Sequence, residues 1–210
     1  MQHIVFLHGL SCTGQLYKYI IGELPKHKAY VPTYNSYSRV ETILDNIVEQ
    51  LPKEPFWIVG HSLGGVIAHL IISRGLAESR VKGLITVASP FGGSRSATTL
   101  RWFFRKMPIL NDLTPKSKII KEVTEERLAV PFMSIISTHG HLPFIAGEND
   151  GVVSIDSQRN SPAPHKIEIA ANHGEVLLHD ETIGLIREFI FERQHGFTDQ
   201  TTFSGNGVHT

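Results

Sequence analysis

The chain has 210 residues, 41% hydrophobic and 19% charged, with 20 Lys+Arg against 20 Asp+Glu, a length that suits one domain with a sizeable core and is short for two. The even charge leaves no basic excess to neutralise phosphates, which argues against a general nucleic-acid binder, and no apolar run approaches the ~20 residues that cross a bilayer. The N-terminus shows no basic region followed by an apolar one, and the single Cys12 has no internal partner, so a cytoplasmic location is expected.

Short apolar runs alternate with helix-period segments, the pattern of β-α-β units around a parallel sheet covered on both faces. Strands are expected at 3–7, 29–31, 56–60, 83–88, 132–137 and 166–170. After the first, Leu16, Tyr17, Ile20, Ile21 and Leu24 share one helical face, with Thr13 available as a cap and Pro25 beyond the end. Val40, Ile43, Leu44, Ile47, Val48 and Leu51 repeat the pattern before Pro52, and Leu63, Val66, Ile67, Leu70 and Ile71 follow the third strand. Residues 91–131 are too long for a simple crossover; the expectation is a helical insertion, with two helices, that shapes the substrate site. A last helix over about 182–193 turns Ile183, Ile186, Phe189 and Ile190 inward, and the polar 194–210 reads as a surface extension of one domain spanning 1–210.

Gly60-His61-Ser62-Leu63-Gly64-Gly65 fits G-x-S-x-G where an apolar strand passes into a helix. That turn is tight enough to require Gly60 and Gly64, and it pushes the serine out above the sheet. His8-Gly9-Leu10 ends the first strand, where an acyl-transfer site needs a second backbone donor for the developing oxyanion; Leu10 and Leu63 are the expected pair. A serine needs a histidine to take its proton and an acid to hold that ring. In this topology the partners follow in the order Ser, Asp, His. Asp150, in Asn149-Asp150-Gly151-Val152-Val153, and His173, in Asn172-His173-Gly174, lie just beyond the fifth and sixth strands, at the sheet edge where open α/β sheets bind ligands. Glu148 and Asp156 compete with Asp150, and His179 with His173. The glycine after Asp150 favours a turn that exposes its carboxylate, and His179 falls past the start of the last helical region.

On these four motifs the chain resembles the lipase-like serine hydrolases of the α/β-hydrolase fold, particularly the small, nearly capless lipases and esterases. Asp112-Leu113-Thr114-Pro115-Lys116-Ser117 also looks like the stretch after the sixth strand of triacylglycerol-lipase-like proteins. The resemblance covers most of the chain from Ile4 to about Ile190. It implies a minimal, mostly parallel sheet of about six strands with helices on both faces and no large cap, beginning at the His-Gly strand. It also implies a carboxylic ester hydrolase acting through an acyl-enzyme on Ser62, with His173 as base, Asp150 as orienting acid and Leu10 and Leu63 as oxyanion donors. Thioesters, amides and acyl transfer use the same machinery. A noncatalytic binding module on this fold is the reading from another class.

Twelve histidines invite a metal, yet no His-Glu-x-x-His pair occurs and one cysteine forms no thiolate cluster. His139 and His141 are the best-spaced pair and read as solvated or hydrogen-bonded, so no metal or cofactor is expected. His8 and His61 flank the reacting positions and are candidate substrate contacts. Cys12 reads as a small packing residue, and Gly92-Gly93 lacks the lysine of a nucleotide loop. Trp102, Phe103 and Phe104, bracketed by Arg101, Arg105 and Lys106, form an aromatic and basic patch. Trp102 and Phe103 are candidates for an acyl site or for peripheral contact with a lipid surface. The expected partner is thus a small-molecule ester or lipid, with no nucleic acid.

Overall fold

The computed structural model describes residues 1–93, 107–143, 145 and 147–192. Six strands, β1 (Gln2–Leu7), β2 (His27–Tyr30), β3 (Phe56–His61), β4 (Val81–Val87), β5 (Phe132–Ser137) and β6 (His165–Ile169), form one parallel sheet in the order β2-β1-β3-β4-β5-β6. Position in the sheet accounts for their composition. The inner strands β3 and β5 are buried at every residue, whereas edge strands β2 and β6 carry exposed Lys28, Lys166 and Glu168, charges that discourage further strand pairing. Strand β2 lies two residues earlier than the apolar run at 29–31 suggests, because its pairing begins with His27 opposite Gln2.

Successive side chains of each strand enter opposite layers. Val5, Leu7 and Ile58 join a core built with α2 (Val40–Val48), α3 (Leu63–Ser73), α4 (Ile109–Asp112) and α5 (Lys118–Glu125). Ile4, Phe6, Trp57 and Val59 join a second core with α1 (Lys18–Glu23) and α7 (Asp180–Arg187). Helices therefore cover both faces, and no cap is present among the described residues. Of the segment expected to be a helical insertion, 91–131, the described residues include α4 and α5. Asp112, the last residue of α4, accepts from the Val40 amide at 3.0 Å and so caps α2 from across the molecule, while Ser117 accepts from Ile120 at 3.1 Å and caps α5.

Three local expectations change. The first helical segment is split into a 3-10 turn (Gly14–Tyr17) and α1, and Thr13 makes no side-chain capping bond. The turn is held instead by Tyr17, whose hydroxyl donates to Leu7 O at 2.7 Å and whose ring packs on Phe6. Helix α3 is buried from Leu63 to Ile71 on all sides rather than on one stripe, because the sheet, α2 and α5 enclose it. The last helix starts at Asp180 and ends in a π turn (Glu188–Glu192). Residues 94–106, with Trp102 and Phe103, and the tail at 194–210 lie outside the described residues. No helix among the described residues is long and apolar enough to cross a membrane.

Candidate active site

Strand β1 lies between β2 and β3, so the chain leaves β1 in one direction and returns on its other side. The carboxyl ends of β1 and β3 thus open a crevice at the point where the winding reverses, the place where open α/β sheets bind ligands. His8-Gly9-Leu10 follows β1 and Ser62 follows β3. Ser62 has φ 54 and ψ −123, a strained conformation for a residue with a side chain. Its amide donates to Val87 O at 2.8 Å, and the next residue opens α3. The crowding around it is backbone on backbone. A Cβ on Gly64 would lie 1.9 Å from Leu7 O, and one on Gly60 would lie 2.6 Å from Gly64 O. On Gly9 it would lie 2.9 Å from Ser62 Cβ, so three residues without side chains let the two loops touch.

Two amides border this contact in sequence. Leu63 N–H is at the first position of α3, one of the donors a helix leaves unsatisfied, and Leu10 N–H has no acceptor among the described residues. The Leu10 loop is fastened from β2's side. Tyr34 donates its hydroxyl to His8 O, Ser36 Oγ accepts from the Ser11 amide at 3.1 Å, and the Tyr37 hydroxyl donates to Ser11 Oγ at 2.9 Å. Ser11 itself has φ 59, a left-handed conformation that these bonds help to hold.

Asp150 and His173 come from the other end of the sheet. The Asn149–Val153 turn closes with Asp150 N–H on Val153 O, and Gly151 takes φ 94. Asp150 is fully buried and its carboxylate accepts five hydrogen bonds. Oδ1 takes the amides of Val152 and Val153 at 2.9 and 2.7 Å. Oδ2 takes His173 Nδ1 at 2.7 Å, Ser137 Oγ at 2.5 Å and Gln158 Nε2 at 2.9 Å. The His173 amide also donates to Asp150 O at 2.9 Å, so the two loops are joined by backbone as well as side chain. Burial alone would push the Asp150 carboxyl up; the hydrogen bond and charge of His173, with bonds from Ser137 and Val153, outweigh it and hold the group below its ordinary range. A carboxylate only accepts, so His173 Nδ1 carries the proton of that bond.

His61 connects the two halves. Its Nε2 donates to His173 O at 2.8 Å and its ring lies 4.8 Å from the His173 ring, while Nδ1 is buried with no partner among the described residues. Burial, and then the neighbouring His173, lowers its pKa to about 3, so the ring is neutral. His8 and His61, candidates for substrate contact, are 4% and 2% exposed. Their contacts are with the protein: His8 stacks on Tyr34 at 4.0 Å and places Nδ1 at Gly9 O. The competing residues separate cleanly. Asp156 is an exposed residue of α6 (Ile155–Arg159), Glu148 is exposed, and exposed His179 precedes α7. Cys12 is half-buried, and burial pushes its thiol up, away from the reactive thiolate. His139 and His141 line a cavity of about 920 Å³ with Glu148 and Arg159. Among the described residues Ser62 Oγ makes no hydrogen bond.

Sequence reading missed Ser137, Gln158, Tyr34, Ser36 and Tyr37. Each is an ordinary polar or aromatic residue whose partner lies on another segment, so no local signal marks it.

A family model described as serine aminopeptidase, S33, matches residues 8–137, from the Leu10 loop to the end of β5. The chain belongs to this α/β-hydrolase family. The match ends before Asp150 and His173. Among solved structures, this α/β hydrolase is similar to the mature lipase BlEst2 of Bacillus licheniformis, with 15% identity and a TM-score of 0.72 over 90% of this chain and 91% of that one. It is also similar to the phospholipase PlaB of Legionella pneumophila, with 17% identity and a TM-score of 0.68 over 89% of this chain and 59% of that one. A monoacylglycerol lipase of Paleococcus ferrophilus follows, with 17% identity and a TM-score of 0.58 over 90% and 93%. At such identities the likeness is one of fold. No curated protein sequence matches the chain.

Proposed function

We propose that this α/β hydrolase cleaves carboxylic esters through an acyl-enzyme on Ser62, with His173 as general base, Asp150 as its orienting acid and the Leu10 and Leu63 amides as oxyanion donors. The observation that carries the reading is the buried Asp150–His173 hydrogen bond of 2.7 Å at the sheet edge where Ser62 stands on its strained turn. Ser62 Oγ attacks the ester carbonyl as its proton passes to His173 Nε2. The negative charge that forms on the carbonyl oxygen is met by the two amides. The tetrahedral adduct collapses with loss of the alcohol, which takes the proton from His173. Water then attacks the acyl-enzyme, His173 removes its proton, and the acid leaves with Ser62 regenerated.

The test is hydrolysis of p-nitrophenyl acetate and butyrate by the parent and by Ser62→Ala, with labelling of both by a fluorophosphonate. Loss of kcat/KM by about 10³-fold or more, together with loss of labelling, supports the reading; unchanged activity in the variant overturns it. Labelling also separates an enzyme from a noncatalytic module, which would not react. Whether the ester is soluble or aggregated is read from rates above and below the substrate's solubility limit. A second reading, amide hydrolysis, is favoured by the family's description as serine aminopeptidase. Aminoacyl p-nitroanilides cleaved faster than p-nitrophenyl esters of matched size would replace esters with amides in the proposal. The cytoplasmic location belongs to the proposal as well and rests on the single unpaired Cys12.

A further inference from the structure

Asp150 carries more donors than a carboxylate needs in order to stay ionised, and two of them come from side chains that the reaction itself does not use. Gln158 is 1% exposed and stands on α6, directly after the Asp150 turn. Its amide group pairs with the peptide of Ser137 at the end of β5: Oε1 accepts from Ser137 N–H at 2.9 Å and Nε2 donates to Ser137 O at 3.2 Å. This two-point contact imitates a neighbouring strand and fixes which way the amide faces. The other Nε2 hydrogen is thereby aimed at Asp150 Oδ2, 2.9 Å away. Ser137 adds its hydroxyl to the same oxygen at 2.5 Å, and β5–β6 pairing at Ser137 and Ile169 anchors that residue in the sheet.

We propose that Gln158 and Ser137 are positioning residues for hydrolysis, holding the Asp150 carboxylate to the end of β5 so that Oδ2 faces His173. The inference rests on the assignment of Asp150 and His173 given above. Without the two donors the carboxylate is tied only at Oδ1 and at His173, and it can turn about its Cβ–Cγ bond. Because both donors are neutral, they restrain the carboxylate without cancelling the charge that steadies the imidazolium. Outer partners orient the groups that react, and at metal sites the loss of such partners costs about 10- to 100-fold.

The experiment uses the full chain with Gln158→Leu, Gln158→Glu and Ser137→Ala, measuring kcat and KM on p-nitrophenyl butyrate across pH, with folding followed by circular dichroism and thermal unfolding. Gln158→Leu, close in volume, is expected to lower kcat by about 10- to 100-fold with KM changed less than about twofold. Gln158→Glu provides the readout that a packing role would not move. As a carboxylic acid its side chain still donates to Asp150; once ionised it repels it, and a buried pair of carboxylates parts with its second proton late. The kcat of this variant should approach the parent's at low pH and decline as pH rises, a limb the parent lacks. The other titratable groups facing Asp150 are His173 from the loop after β6 and His61 from β3, both unchanged in the variant.

Folded Gln158 variants with the parent's kcat and pH profile overturn the proposal, as does a kcat loss in Gln158→Leu without the new limb in Gln158→Glu. Where the Gln158 variants do not fold, Ser137→Ala decides. It leaves the Gln158–peptide pairing in place, and a fall in kcat of about fivefold or more at unchanged thermal stability supports the proposal; the parent's kcat overturns it. Failure of the underlying assignment looks different, because Ser62→Ala or Asp150→Asn would then keep the parent's activity.

Discussion

The two halves of the site are built by different physics. The serine half, residues 8–12 and 60–65, is made of backbone: glycines allow two loops to touch, and a strained turn presents Ser62. The Asp150–His173 half, residues 148–158 and 172–175, is made of hydrogen bonds, from side chains and from two backbone amides, converging on one buried charge, with Gly151 free of any crowding. A steric site is specified by what must be absent at a few adjacent positions. An electrostatic site is specified by what must be present at scattered ones. The first kind fails by unfolding and the second by losing rate.

Substitutions that exchange these modes of failure would break the comparison. The largest effect is expected for Asp150→Asn. Either orientation of the new amide turns an NH₂ toward existing donors, and with the NH₂ toward His173, Ser137 and Gln158 the Nδ1–H tautomer of His173 loses its acceptor, so kcat should fall about 10⁴-fold; steady-state rates on p-nitrophenyl butyrate check this. Next come paired glycines. Gly64→Ala forces a Cβ to within 1.9 Å of Leu7 O and should lower the unfolding free energy by about 4 kcal/mol. Gly151→Ala has nothing within 4 Å and only an unfavourable φ of 94, so about 1 kcal/mol is expected in urea denaturation. Equal costs at the two glycines would contradict the division.

The smallest test concerns acid. His69, fully buried on α3 with Nε2 donating to Glu126 O, has its pKa lowered by burial from 6.5 to about 4. The unfolded chain therefore binds this proton first as pH falls. The contribution of neutral His69 is complete above about pH 6.5 and is lost progressively toward about pH 4. Between pH 7 and pH 4.5 the chain should lose about 2 kcal/mol through this residue. His61 and Asp150, whose pKa values are also depressed, act in the same direction. Urea midpoints at the two pH values should converge in His69→Leu by that amount; an unchanged gap would assign the acid lability to the other groups.

The legibility of each element follows from the range of its interactions. Strand β5 was visible at its full length because its burial on both faces requires a mostly apolar run, with Ser134 satisfied by Thr86, whereas edge strand β2 was displaced because its place depends on pairing with Gln2–Val5. Helix α2 showed in its period because it buries one face, while the all-round burial of α3 follows only from what surrounds it. Ser62, Gly60 and Gly64 were readable from the spacing of one tight turn, although the contacts that exclude a side chain at Gly9 and Gly64 reach across to the other loop. Asp150 and His173 were readable by chain order and position at the sheet edge.

By itself the sequence determined the parallel α/β architecture and the tight serine turn, which depend on local periodicity and near neighbours, and its order of motifs singled out the three residues proposed for catalysis. Only the tertiary structure decided that Asp150 is gripped by Ser137 and Gln158, that His61 binds the His173 carbonyl, and that Tyr34, Ser36 and Tyr37 fasten the Leu10 loop. Those bonds join segments up to 112 residues apart along the chain. A hydrogen bond needs its partner within about 3 Å in a set direction, and that proximity exists only once the sheet has assembled.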